Sequence, residues 1–187
     1  MISFPRFLGC VFSSLLLLPV APAEHRRDPL NQVEIDQLRD TAQEPELRLK
    51  LYVKFARLRL EAIDKARSDP KVADRAEQTH DRLQDFLDVY DELNDNIDTF
   101  ADRRNDIRKV LKTIIEADEE FEARIRALKD SATASQEEMK DYEFLLSNAL
   151  DALENGAQDH RQLLSEQEEA AKHKQLIKPD AATANKR

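Results

Sequence analysis

Tryptophan is absent, cysteine occurs once and glycine twice in a chain of 187 residues. Each shortage removes a class of chemistry. The single cysteine, Cys10, sits in an N-terminal apolar run that is expected to be cleaved off. The remaining chain can then form no disulfide, thiolate metal site or cysteine nucleophile. Gly9 lies in the same run, which leaves only Gly156 beyond it. That is too little glycine for a phosphate-cradling loop, and the G-x-S-x-G, G-x-G-x-x-G and H-E-x-x-H patterns find no match. Cations are also in deficit: 29 lysines and arginines stand against 38 aspartates and glutamates, a formal net charge of −9. Such a surface repels phosphate backbones and anionic lipid, which argues against a nucleic-acid partner.

The N-terminus reads as a leader. Arg6 gives a short positive start, Phe7 to Leu18 (FLGCVFSSLLLL) are the apolar run, and PVAPA ends with Ala21 and Ala23 at the −3 and −1 places of an A-x-A cleavage site. The run is shorter than the roughly 20 apolar residues a spanning helix requires. The expectation is a cleaved signal peptide over residues 1–23, a secreted or periplasmic location, and no stable membrane span after cleavage. Cys10 does not suit a lipoprotein site, because most of the apolar core follows it instead of preceding it.

What is abundant is helix-forming material. Leucine, alanine and charged residues fill the space between Pro29, Pro45, Pro70 and Pro179. DPLNQVEI predicts a helix start in which Asn31 caps, Glu34 closes a capping box, and Leu30 and Ile35 form a hydrophobic staple. This first helix is short, ending near Gln43. Pro45 and Pro70 suit the first helical position. They place a second helix over 45–67, with Glu44 as a poor cap, and the start of a third at Pro70, with Asp69 as a good one. SATASQEE reads as a small-residue loop, then Ser135 as N-cap with Glu138 as its box partner. A last helix follows over 136–173. Residues 24–173 thus form one helical domain, and 174–187 are expected to be a disordered tail.

Between Pro70 and Ser131 no stop signal occurs. Apolar residues recur at alternating three and four spacing from Leu83 through Phe86, Tyr90, Leu93, Ile97 and Phe100, and resume in register from Ile107 to Leu128, with Arg104 and Asp118 at the two polar steps. One reading is a coiled-coil-like rod built on one continuous helix over 70–130. The other breaks the chain at ADRRND, with Asn105 or Asp106 capping a new helix. Breaking it puts Asp98 and Asp102 at a negative helix pole and Arg108, Lys109 and Lys112 at a positive one. Against the rod stands the width of the apolar arcs. The second helix has Leu47, Leu51, Phe55 and Leu58 on one side and Leu49, Val53, Leu60 and Ile63 nearly opposite, so it needs at least two neighbours. The favoured fold is therefore all-α, an antiparallel four-helix bundle plus a short N-terminal helix.

Few residues suggest chemistry. Glu77 and His80 match the Glu-x-x-His of di-iron bundles, but such a site needs two copies and two further glutamates, and only one copy exists. His160 lies on the apolar stripe of the last helix and is a candidate haem ligand, with Met139 opposite; the plainer reading is an imidazole bonded to a carboxylate across an interface. Gly156 shares that stripe at a cost of about 1 kcal/mol relative to alanine, which suggests a close approach there or a kink. The acidic series from Asp81 to Asp102 is read as a solvated outer face, since converging loop oxygens are missing. Lys50, Lys54 and Arg57 point outward on the second helix, while Arg48 and Arg59 fall inside its apolar arc. Pairing of this basic helix with the acidic third is the expected use of the charge.

No catalytic residue and no cofactor are assigned. The expected role is an exported, non-enzymatic helical protein acting by protein binding, as a scaffold, adaptor or chaperone-like holder with an unidentified protein partner. The alternatives are a haem- or metal-binding bundle and a structural coiled-coil homo-oligomer.

Overall fold

The computed structural model describes residues 28–69, 71–131 and 136–177. The leader, Pro70, the capping position Ser135 and residues 178–187 lie outside these ranges. Among the described residues there are helices and no strands: α1 (Gln32–Asp40), α2 (Pro45–Ser68), α3 (Arg75–Asp102), α4 (Arg108–Lys129), α5 (Gln136–Lys140) and α6 (Glu143–Ile177). None of them is long and apolar enough to cross a membrane.

The four long helices make the bundle. The α2/α3 and α4/α6 pairs are antiparallel hairpins, and α2 also meets α4 while α3 meets α6. Going round the bundle the order is therefore α2, α3, α6, α4, and the chain-neighbours α3 and α4 stand on a diagonal. Across the two hairpins the neighbours run parallel, as the ion pairs Lys109–Glu46 and Arg57–Glu120 show. The stripes meet in the middle, where Phe86 of α3 and Phe121 of α4 pack edge to face at 5.6 Å.

At its start, α1 follows its sequence signals. The Asn31 side chain accepts from the Val33 and Glu34 N–H groups, and Glu34 accepts from the Asn31 N–H. Glu34 also takes the Arg59 guanidinium in a two-pronged pair, and Arg59 reaches the Pro29 carbonyl. Burial opposes ionisation of Glu34, but Arg59 and the Asn31 N–H outweigh it and hold its carboxyl below the usual range. Arg48 bonds Asn96, the Leu38 carbonyl and the Tyr52 hydroxyl. The two arginines inside the apolar arc of α2 thus strap α1 and α3 to it.

Several boundaries differ from expectation. Pro45 does open α2, and Glu44 makes no side-chain cap bond. However, α3 begins at Arg75, because Asp69 uses its carboxylate to accept from the Lys71 N–H at 2.9 Å and closes a local turn instead of capping a helix. The last helix is interrupted at Asp141 and Tyr142. Tyr142 is buried there and its hydroxyl accepts from Arg67 at 3.0 Å, which ties the break to the end of α2. Beyond it α6 continues to Ile177, so residues 174–177, expected in the tail, belong to the helix. On α2 the apolar side of Leu47, Leu51, Phe55 and Leu58 is only partly covered, leaving Leu47 and Leu58 exposed.

The chain is broken between α3 and α4, and local bonds offset the dipole objection. Arg104 adopts a left-handed conformation (φ 58°). Its N–H bonds the Ala101 carbonyl and the Asn105 N–H bonds that of Phe100, the paired bonds of a Schellman stop. The Gln167 side-chain amide of α6 then accepts from the Ile107 N–H and donates to the Asn105 carbonyl. The three cations at the positive pole of α4 are each given a carboxylate: Arg108–Asp106, Lys109–Glu46 and Lys112–Glu168. A left-handed non-glycine residue costs roughly 1–2 kcal/mol, partly offset by the entropy that glycine loses on folding. Arg104→Gly is accordingly expected to stabilise the fold by about 0.5–1 kcal/mol, seen as a higher urea midpoint at unchanged slope.

Candidate functional site

The only cluster of buried polar groups joining three bundle helices lies at mid-height among the described residues. Tyr90 of α3 donates its hydroxyl to Asp118 Oδ1 of α4 at 2.9 Å, and His160 Nδ1 of α6 meets Asp118 Oδ2 at 2.8 Å. The other ring nitrogen, Nε2, is 3.1 Å from Asn94 Oδ1 of α3. Tyr90, Asp118 and His160 are all buried. Burial, followed by the adjacent Asp118 carboxylate, pushes the Tyr90 phenol far above its ordinary range, so it acts as a donor only. The Nε2 contact suits either ring state: the amide oxygen accepts from an Nε2–H, and an amide turned about its own axis donates to a bare Nε2.

Gly156 makes this arrangement possible. A Cβ built on it would lie 2.3 Å from the Tyr90 hydroxyl oxygen. The ring itself is held by stacking on Phe86 at 6.0 Å and by an edge contact with His160. The mid-helix glycine therefore reflects close approach, and α6 runs through it as continuous helix.

Outside the cluster, α3 and α6 leave a groove of about 310 Å³. Ile97, Ala101, Ala152, Gly156 and Leu163 give it an apolar floor, His160 and Asn94 form its inner wall, and Asp91, Asp98, Asn155 and Asp159 stand on its rim. Its small side chains keep the two helix surfaces from closing over it.

The other sequence candidates are not drawn into this centre. Glu77 and His80 are both exposed near the start of α3, with His80 3.6 Å from Asp81. Met139 is half-buried on α5, beside the Glu138–Arg67 contact and before the helix break, whereas both ring nitrogens of His160 are engaged at mid-bundle. No three His, Cys, Asp or Glu side chains converge as a metal-holding group among the described residues. The acidic series is only partly an outer face: Asp85 and Asp88 are buried, bonded to Arg82 and Gln84. Basic α2 lies beside acidic α3, where Arg48 bonds Asn96, and its ion pairs among the described residues include Glu34 of α1, Glu120 of α4 and its own Glu46.

Asp118 and Tyr90 carry the cluster, and neither stands out in the sequence as a site. The available signal was position, since Asp118 falls at an interior step of the three-four register between Ile114 and Phe121. Chemically, Asp118 orients the imidazole as a general-base pair would, but Nε2 faces Asn94, and the one hydroxyl in the bonded set, that of Tyr90, donates to Asp118 and not to the imidazole. Compared with protein families, curated proteins and solved structures, the chain matches none.

Proposed function

We propose that this chain is an exported, non-enzymatic helical binding protein, a scaffold, adaptor or chaperone-like holder that works through its outer faces. The observation that carries the reading is the contrast between inside and outside. Within the bundle the Tyr90, Asp118 and His160 groups satisfy one another and Asn94, leaving no unspent donor or base for a substrate. On the surface, large apolar side chains stand in water: Phe144 is 75% exposed and Val33 65%, with Leu47 and Leu58 also open. Single exposed apolar residues are ordinary, but a ring as open as Phe144 suits an anchor for a partner. Export rests on the leader-like N-terminal sequence. The test is mild crosslinking of tagged protein in an envelope fraction, followed by mass spectrometry. A defined partner, captured less well by Phe144→Ser, is the expected result; a monomer that captures nothing overturns the reading.

A further inference from the structure

We infer that the groove between α3 and α6 is a docking surface for a basic amphipathic segment of a partner protein, seated along α6 from Ala152 towards Leu163. The inference rests on the protein-binding reading and specifies its surface and partner. The groove combines two linings that one kind of side chain satisfies together. Its floor, from Ile97 to Ala152, is apolar, and its rim carries carboxylates. Lysine and arginine have that build, an aliphatic stem below a charged head, and lie along apolar surface with the head at a polar edge.

The rim is also available. Asp98 and Asp159 are exposed and enter no ion pair or hydrogen bond among the described residues, whereas acids on other faces of the bundle, Glu119, Glu120 and Glu168, are paired with Arg161, Arg57 and Lys112. Basic α2, the obvious internal source of cations, lies on the other side of α3 and spends its charge elsewhere. A ligand cation would be the counter-charge that the fold itself does not provide.

The line of the groove gives the length. At 100° per residue, Ala152, Asn155, Gly156, Asp159 and Leu163 fall within about 100° of one another on α6 and span about 16 Å. A partner helix of roughly fifteen residues more than covers that distance, with an apolar residue against the Ala152 and Leu163 floor and a cation at the Asp98 and Asp159 rim. Past Leu163 the adjoining cleft brings in Arg104, Arg108 and Lys174 beside Asp106 and Glu166, and the acidic excess ends. A basic segment is therefore confined to the Ala152 side of Leu163.

The test uses the full processed chain and a fluorescent lysine- and leucine-containing amphipathic peptide of about fifteen residues, followed by anisotropy at low and moderate salt. Wild-type protein is expected to bind it. Asp98→Asn/Asp159→Asn is expected to weaken binding roughly tenfold, and Ala152→Leu, which fills the floor, by a similar factor. A control that removes the same charge elsewhere, Glu61→Gln/Glu116→Gln, is expected to leave binding unchanged. If the control weakens binding as much as the groove variant, the attraction is net charge alone and the inference falls. Spermidine binding as tightly as the peptide would also overturn it, pointing to a small-cation site. If the peptide does not bind, or if the groove variant captures the same envelope partner as wild type, the groove is wrong while the protein-binding reading stands. Only failure of capture itself removes that reading.

Discussion

Replacing Asp118 with alanine is expected to cost about 3–5 kcal/mol of stability, because it leaves two buried hydrogen-bonding partners unsatisfied at roughly 1–3 kcal/mol each. The side chain is almost wholly enclosed, and both of its oxygens are in use. Its loss strands the Tyr90 hydroxyl and the His160 Nδ1 in an apolar interior where water cannot replace it. In a fold of this size that corresponds to a fall in Tm of roughly 10 °C. Asp118→Asn separates charge from shape. Its amide oxygen can accept from Tyr90 or from His160, while its NH2 group faces the other donor. It is expected to lie between alanine and wild type in urea unfolding followed by far-UV circular dichroism. Equal stability of all three proteins would show that the cluster is not a structural centre.

The second large effect runs against helix propensity. On an exposed helix, glycine to alanine gains about 1 kcal/mol. At position 156 it is expected to lose about 1–3 kcal/mol, the usual cost of overpacking, because the new methyl would lie 2.3 Å from the Tyr90 oxygen. The ring cannot swing aside without leaving Phe86 and breaking its bond to Asp118. Tyr90→Phe removes the atom that collides, although the ring carbons at 3.1 and 3.2 Å remain close. Gly156→Ala should therefore cost clearly less in the Tyr90→Phe background than alone, a coupling that a double-mutant cycle reads directly. Additive effects would mean that the glycine is present for some other reason.

These two positions also show where the sequence was readable. The helices themselves were, since Asn31 with Glu34, Pro45, and the stripe from Leu83 to Leu128 each act through neighbours a few residues away. Asp118 gave conflicting signals: its spacing placed it inside and its charge placed it outside. The conflict is settled by Tyr90 and His160, 28 and 42 residues distant, and no local pattern contains them. Arg59 was assigned to the interior correctly, but its partner Glu34 was read only as a capping residue. Asp69 and Tyr142 mark the opposite failure. There, local capping and periodicity rules placed a helix start at Pro70 and an unbroken helix over 136–173, while a side-chain turn and a bond to Arg67 redirected the chain.

The turn at Arg104 has one further consequence. The apolar register is unbroken across it, so straightening this single joint into helix would keep every stripe in phase while carrying the α4/α6 hairpin away from α2/α3. A second chain opened in the same way would supply the missing half. Each bundle of such a reciprocal, domain-swapped dimer would contain Tyr90 from one chain bonded to Asp118 and His160 of the other. In such an exchange the left-handed backbone at Arg104 would be the latch between a self-contained molecule and an exchanged pair.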